Sequence, residues 1–297
     1  MTELLSSCPV CGGNVLKDYL ECTDYTVSKE RFKLQACNSC GFVFTNPRPT
    51  AADIGVYYKS EDYISHTNSK KGLFNSVYQL ARKRAINSKL SILDKYKQGT
   101  KTLLDYGCGT GEFLNQAQLN GWNTKGIEPD PEARAKAITN YQLEVKDPSL
   151  LNTFKDGEFA AITLWHVLEH VHDLNNAIQQ FERILSNDGV LVIAVPNYKS
   201  NDAKIYGEHW AAYDVPRHLY HFSIGSVEQL MKKHGLLIQG IQSLFFDPFY
   251  IALLSEKYKN GTSNPLKAAW VGLQTTLKGR SDIEANSSLI YIIKKGN

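Results

Sequence analysis

The hydrophobic pattern from residue 101 onward alternates between short apolar runs and longer segments whose apolar positions recur every three or four residues. The short runs predict strands at residues 102–106, 124–127, 143–145, 159–165, 190–195, 236–244 and 288–294. The longer segments predict helices at residues 112–120, 131–141, 174–185 and 226–234. Such alternation is typical of an α/β fold with a doubly wound, mostly parallel seven-stranded sheet. We expect the last two strands to form an antiparallel edge.

Residues 1–60 follow a different pattern, which is dominated by two C-x-x-C pairs. Cys8 and Cys11 form the first pair and Cys37 and Cys40 the second, with 25 residues between the pairs. Two thiolates on each of two tight turns complete a tetrahedral four-sulfur shell, so this segment predicts a zinc ribbon with structural Zn²⁺ and an extended connector. A redox dithiol is the alternative, and it is weaker because two matched pairs are present.

Residues 61–98 predict a basic helical linker. The helical pattern covers residues 72–97, and residues 66–98 contain eight lysines or arginines and one acid. A solvated helix face is the simpler explanation of this charge, and a surface that attracts an anionic substrate or a lipid headgroup is the alternative. Residues 99–297 form the predicted α/β domain, and the apolar residues near 247–286 suggest an inserted helical cover or an interfacial surface.

Composition places the chain among ordinary globular proteins. Of its 297 residues 42% are hydrophobic and 21% are charged, with a formal net charge of +3. So mild a charge makes a nucleic-acid partner improbable. The first residues lack the pattern of a signal peptide, and no apolar run reaches membrane-spanning length, so we expect a cytoplasmic protein without a transmembrane segment.

The strand at residues 102–106 runs into a glycine-rich loop. Gly107, Gly109 and Gly111 alternate with other residues after Asp105, and Glu128 follows the next strand. The glycines allow tight turning and close approach of a ligand, and the acid can accept hydrogen bonds from both hydroxyls of a ribose. This G-x-G-x-G spacing differs from the G-x-G-x-x-G of dinucleotide-binding folds.

Together with Asp105, this loop resembles the cofactor motif of class I methyltransferases. Residues 101–235 are also similar to a small-molecule branch of that family in three segments, which are Leu168-Glu169-His170-Val171, Pro196-Asn197 and the stretch from Trp210 to Phe222. The resemblance implies a Rossmann-like fold, S-adenosylmethionine as cofactor, and a small-molecule acceptor such as a sugar, a quinone precursor or another secondary metabolite. The ribbon is similar to the zinc-binding front ends of sugar methyltransferases.

The resemblance also implies roles for residues at the strand ends. The glycine loop would surround the methionine part of the cofactor, Asp105 would pair with its ammonium, and Glu128 would hold the ribose. Asp147 would meet the adenine amino group. Trp165 and His166 would lie beside the cofactor.

An insertion at residues 206–223 is rich in histidine and tyrosine and follows the fifth strand. Histidine is the usual base near neutral pH, so His218 and His221 are our candidate proton acceptors, with His170 third. Arg217 could pair with a phosphate or carboxylate of an anionic acceptor. A histidine metal site is disfavoured, because no carboxylate is spaced with these histidines on a shared helix.

Two alternatives remain open. A zinc ribbon also precedes this fold in enzymes that modify ribosomal RNA, although residues 1–60 carry six basic and six acidic residues and so lack a concentrated positive surface. A non-catalytic cofactor-binding module would be expected to have a damaged glycine loop. The acceptor atom and the oligomeric state are not indicated by the sequence.

Overall fold

The computed structural model describes residues 1–58, 73–96 and 99–296, with side chains from residue 84 onward in the first helix. Residues 61–72 and 97–98 of the predicted linker, and residues 59–60 of the predicted ribbon domain, lie outside the described residues. The strands are β1 (Thr2–Glu3), β2 (Leu16–Thr23), β3 (Arg31–Cys37), β4 (Val43–Thr45), β5 (Arg48–Pro49), β6 (Thr102–Tyr106), β7 (Asn123–Ile127), β8 (Glu144–Lys146), β9 (Phe159–Trp165), β10 (Leu185–Pro196), β11 (Tyr220–His221), β12 (Leu236–Ser243) and β13 (Ser288–Lys295).

The α-helices pack on or beside this framework. They are α1 (Leu73–Tyr96), α2 (Glu112–Leu119), α3 (Pro131–Tyr141), α4 (Leu174–Ile184), α5 (Asn201–Tyr206), α6 (Ile224–Lys233), α7 (Asp247–Asn260) and α8 (Pro265–Ser281). Short 3₁₀ helices are also present, among which Leu168–His170 matters most below.

The central sheet has the order β12-β13-β10-β9-β6-β7-β8. Strands β10, β9, β6, β7 and β8 are parallel, and β13 runs antiparallel to both β10 and β12. The predicted Rossmann-like α/β fold and its antiparallel edge are therefore confirmed. The centre of the sheet is buried on both faces, since every residue of β9 before Trp165 is buried.

One strand begins earlier in the structure than the sequence predicts. The pattern predicts a strand that begins at residue 190, whereas β10 begins at Leu185, directly after α4. Leu185 already pairs with Phe159 of β9, and a register shift follows before Val190. The polar residues at 186–188 conceal this early pairing from a hydrophobic pattern.

The amino-terminal sheet contains one strand from the histidine-rich insertion at residues 206–223. Among the described residues its order is β11-β4-β3-β2, and all its pairings are antiparallel. The short β11 aligns Tyr220 with Phe44 and His221 with Val43. The histidine-rich insertion therefore docks on the cysteine-rich segment by main-chain hydrogen bonds.

The core is continuous across this junction. Phe42 and Phe44 of the amino-terminal segment and Phe222 beside β11 are completely buried, and they belong to one apolar cluster with the central sheet. Burial of each such ring contributes about 1.5–3 kcal/mol. The ribbon boundary at residue 60 stays a prediction, but the two parts share a sheet and a core.

The segment after β12 is helical. Helix α7 begins at Asp247, and α8 packs beside it, where Ala268 and Val271 are buried. The opposite side of α8 exposes Leu266 and Trp270. Its role as a cover or as an interfacial surface stays a prediction. No helix in the described part of the chain is both long and apolar enough to cross a bilayer.

Candidate active site

The glycine loop follows β6 at the carboxyl edge of the sheet. Gly107, Gly109 and Gly111 have φ angles of 77°, 55° and 87°, a left-handed region that glycine adopts without strain. A Cβ at Gly107 would lie 2.4 Å from Val167 Cγ2, so this glycine provides close packing. A Cβ at Gly109 would meet nothing within 4 Å, so Gly109 is the glycine that borders open space.

Glu128 joins this loop to the next strand end. Its Oε2 accepts a hydrogen bond from Gly109 N at 2.7 Å, and its Oε1 accepts one from Asp130 N at 2.9 Å. The side chain is 7% exposed, and burial raises the pKa of this carboxyl while the two amides partly offset the effect. Glu128, the residue predicted to bind the ribose, therefore contacts the glycine loop directly.

Asp105 lies at the same edge and is almost fully buried. Its Oδ1 accepts a hydrogen bond from Thr163 Oγ1 of β9 at 2.6 Å. Burial raises the pKa of Asp105 to about 7, although the Thr163 hydroxyl and the Lys89 ammonium favour the charged form. Its carboxyl group is thus held inside the sheet edge beneath the loop.

Asp147 follows β8, as the sequence predicts, but its carboxylate also has a local task. Oδ1 accepts hydrogen bonds from both the backbone N and the hydroxyl of Ser149 and so caps the following 3₁₀ turn. Oδ2 lies 3.4 Å from Arg134 Nη1. Hydrogen bonding by Ser149 lowers the pKa of Asp147.

Lys89 of α1 is a residue that sequence reasoning did not single out. Its Nζ lies 4.4 Å from the centroid of the Trp165 ring, and Trp165 packs edge-on against Phe113. Burial lowers the pKa of Lys89, while Asp105 and Asp247 oppose that shift. The only signal in the sequence was a cation in the helix before the glycine loop, among eight basic residues of that region.

His166 occupies a strained position at the tip of β9. Its φ is 57°, and its Nε2 lies 3.1 Å from Asp247 Oδ2 at the start of α7. Its Nδ1 lies 3.6 Å from Glu169 Oε1. Burial opposes the charge on this imidazole, but the carboxylates of Asp247 and Glu169 outweigh it and raise the pKa of His166 to about 10. The inserted helix therefore reaches the predicted cofactor edge.

The structure brings together two of the three candidate proton acceptors. The rings of His170 and His218 lie edge to face with centroids 4.6 Å apart. Glu169 lies beside these two rings, with its Oε1 4.0 Å from His218 Nε2. Burial, followed by the proximity of His218, lowers the pKa of His170 to about 4, so this imidazole is neutral at physiological pH.

His221 points toward the ribbon sheet. Its Nε2 lies 3.2 Å from Thr45 Oγ1, and its ring packs against Tyr213. It is 3% exposed, and burial, reinforced by His218, lowers its pKa well below the usual range. The structure thus separates His221 from the cluster formed by His170 and His218.

The expectation that Arg217 pairs with an anionic acceptor is wrong. Its guanidinium is completely buried and donates hydrogen bonds to Asp24 Oδ1 at 3.0 Å and to Asp214 Oδ1 at 2.6 Å. A third donor reaches the carbonyl oxygen of Tyr57. Arg217 therefore fastens the insertion to the ribbon.

The four predicted cysteine ligands converge on one point. Cys8 Sγ lies 3.6 Å from Cys40 Sγ, and Cys11 Sγ lies 3.5 Å from Cys37 Sγ. Tetrahedral Zn–S bonds of about 2.3 Å place sulfur atoms about 3.8 Å apart, so this cluster fits a zinc ribbon.

Comparison with known proteins supports the fold, and the matched region includes the glycine loop. Residues 78–239 match a family model described as a methyltransferase domain. The ubiquinone biosynthesis O-methyltransferase of Bos taurus is 27% identical over 164 residues, which are 50% of this chain and 44% of that protein. The chain spans about half the length of the first curated relatives that it matches.

Solved structures share the fold at low sequence identity. A SAM-dependent methyltransferase from Archaeoglobus fulgidus is 18% identical with a TM-score of 0.50, covering 75% of this chain and 100% of that one. Magnesium protoporphyrin IX methyltransferase from Synechocystis PCC 6803, with bound SAH, is 12% identical with a TM-score of 0.52. The match covers 81% of this chain and 97% of that one.

Proposed function

Because this chain belongs to the methyltransferase-domain family, we propose that it transfers a methyl group from S-adenosylmethionine to a small-molecule acceptor. The bound cofactor supplies an electrophilic methyl carbon on a sulfonium. A lone pair of the acceptor forms the new bond to that carbon, the C–S bond breaks, and its electron pair remains on sulfur. The protein aligns the reactants, excludes water and receives the acceptor's proton.

The observation that carries this proposal is the loop at the end of β6. Gly109 borders open space, and Glu128 lies against it with a buried, hydrogen-bonded carboxylate. We infer that Glu128 holds the ribose and that Asp147 and Trp165 border the adenine and the sulfonium side. Asp105, Gly107 and Gly111 shape the loop, and His166 positions the tip of β9.

Lys89 extends the proposed cofactor site. Its ammonium lies above Trp165 and is electrostatically coupled to Asp105. A cation at this place suits the carboxylate of a methionine moiety, whose ammonium would face Asp105. On this assignment Lys89 of α1 binds the cofactor, so the basic charge of this helix does not imply an anionic acceptor.

His218 and His170 are the proposed proton acceptors. Their rings lie edge to face beside Glu169, and His170 is neutral at physiological pH. His221 is a weaker candidate, since it is buried against Thr45 and Tyr213. A small acceptor is also in keeping with the Bos taurus relative, whose name specifies an O-methyltransferase of ubiquinone biosynthesis.

We further propose that Cys8, Cys11, Cys37 and Cys40 bind one structural Zn²⁺. Metal binding and folding are coupled in such sites. Elemental analysis should find one zinc per chain in the wild type and a loss of that zinc in Cys37→Ser. Cys22→Ser is the matched control, because Cys22 is buried on β2 outside the cluster. Equal zinc content in both variants would refute the assignment.

Cofactor binding is tested by two substitutions at one position. Gly109→Ala and Gly109→Leu both place a side chain at a φ of 55°, which costs about 1–2 kcal/mol. Only leucine extends far into the space that the cofactor should fill. Calorimetry with S-adenosylhomocysteine should show binding to the alanine variant and none to the leucine variant. Equal affinity in the two variants would rule out this location.

The acceptor is sought with a labelled methyl donor. Mass spectrometry of a metabolite extract incubated with the protein and deuterated S-adenosylmethionine should reveal a small molecule that gains one labelled methyl group. Parallel incubation with total RNA tests the alternative of an RNA methyltransferase. Label in RNA with none in small molecules would overturn the proposed substrate class, and no label in either would favour the non-catalytic module.

A further inference from the structure

The proposed reaction assigns no role to the side chain of Glu169. It is 0% exposed, and within the described residues neither Oε1 nor Oε2 is in hydrogen-bonding geometry, although His166 Nδ1 lies 3.6 Å from Oε1. An unpaired buried carboxylate would cost several kcal/mol, so the histidines around Glu169 decide how its charge is held. Arg217, the nearby guanidinium, is directed to Asp24 and Asp214 instead.

The two histidines beside Glu169 are held in one tautomer. His170 Nδ1 lies 3.0 Å from the carbonyl oxygen of Arg217, and His218 Nδ1 lies 2.8 Å from the carbonyl oxygen of Ala212. Because a carbonyl oxygen only accepts, Nδ1 carries the proton in both rings. Each Nε2 consequently presents a lone pair. The Tyr58 hydroxyl, 2.9 Å from His170 Nδ1, can accept from the same N–H.

We propose that Glu169, His170 and His218 bind one divalent transition-metal ion through the carboxylate and the two Nε2 atoms. Imidazoles that donate Nδ1–H to backbone carbonyls are the usual support for metal-bound histidine. One ligand atom from each residue lies within 4.8 Å of the others. Metal–ligand bonds of about 2.0–2.2 Å bring such atoms about 3 Å apart, which requires side-chain movements below about 1 Å each.

Two imidazoles and one carboxylate leave coordination positions open for a substrate. The site lies two residues beyond Val167, the residue that packs against Gly107 of the glycine loop. If the proposed function holds, an ion at this place would bind a hydroxyl or enol oxygen of the acceptor and lower its pKa. On this assignment His170 and His218 would act as ligands and would not be the proton acceptors, and the acceptor oxygen, acidified by the ion, would lose its proton to solvent water before the methyl group is transferred.

Mn²⁺ is the probe of choice, because soft thiolates do not select it and the cysteine cluster should leave it unbound. Titration of the full chain, followed by electron paramagnetic resonance of unbound Mn²⁺, should give one bound ion per chain. Glu169→Gln and His218→Ala should each weaken binding at least tenfold. His234→Gln is the control, because His234 lies at the end of α6 and contacts Asn175. Absence of binding by the wild type, or equal binding by Glu169→Gln, would overturn the site.

A measurement on the wild-type protein guards against variants that fail to fold. Bound Mn²⁺ should selectively broaden the imidazole ¹⁵N resonances of His170 and His218 and should leave those of His209 and His234 sharp. Broadening confined to other histidines would contradict the assignment. Both readouts are independent of methyl transfer, so a failed metal site and a failed methyltransferase assignment are distinguishable.

Discussion

Replacement of Glu128 by glutamine tests the proposed cofactor site most directly. The carboxylate accepts hydrogen bonds from Gly109 N at 2.7 Å and from Asp130 N at 2.9 Å. A glutamine keeps one acceptor oxygen, but its amide nitrogen would face a backbone N–H, so one of the two bonds is lost. It also lacks the charge that strengthens hydrogen bonds from ribose hydroxyls.

The expected loss follows from this geometry. A hydrogen bond to a charged group contributes about 1.5–3 kcal/mol, and loss of one such bond to the cofactor raises Kd about 10- to 150-fold. Calorimetry with S-adenosylhomocysteine, well below the unfolding temperature of the variant, measures this change. A Kd within threefold of the wild type would refute the idea that Glu128 binds the ribose.

Glu132→Gln is the matched control for this experiment. It also removes one negative charge, but Glu132 is exposed in the first turn of α3, four residues away from Glu128. We expect this variant to bind the cofactor like the wild type. Equal weakening by the two variants would indicate a general electrostatic effect in place of a specific ribose contact.

Three further outcomes follow from the site. Lys89→Met should weaken the binding of S-adenosylhomocysteine at least tenfold but leave the binding of methylthioadenosine, which lacks the carboxylate, unchanged. Equal effects on the affinity for both ligands would exclude the carboxylate contact. Arg217→Met should lower the free energy of unfolding by about 3–5 kcal/mol in denaturant titrations, because it leaves Asp24 uncompensated, and a loss below about 1 kcal/mol would contradict this. Since Asp247 helps to raise the pKa of His166 to about 10, protonation of His166 stabilises the fold below about pH 6.5, and this stabilisation is lost as the pH rises through 10. Asp247→Asn should therefore lower Tm more at pH 7 than at pH 10.5, and a constant difference would refute the coupling.

The sequence by itself determined those features that depend on local periodicity and spacing. The buried run of β9 and the amphipathic pattern of α4 identified strands and helices because each is set by residues close in the chain. The positions of Gly109 and Glu128 followed from the rule that parallel strands end at a common edge. The spacing of two C-x-x-C pairs likewise sufficed to predict a convergent cysteine cluster.

The partners of buried polar side chains were decided only by the tertiary structure. Arg217 looked available for a substrate, yet it pairs with Asp24, which lies 193 residues earlier in the chain. Glu169 and His218 meet because the insertion folds back over the tip of β9. The absence of a carboxylate spaced with the histidines on one helix was therefore a poor reason to disfavour a cluster of these residues. The strand β11 has only two residues, so its hydrophobic pattern is too short to predict its pairing with β4. Such contacts join segments far apart in sequence, and their geometry is fixed by how whole elements pack rather than by the residues next to them in the chain.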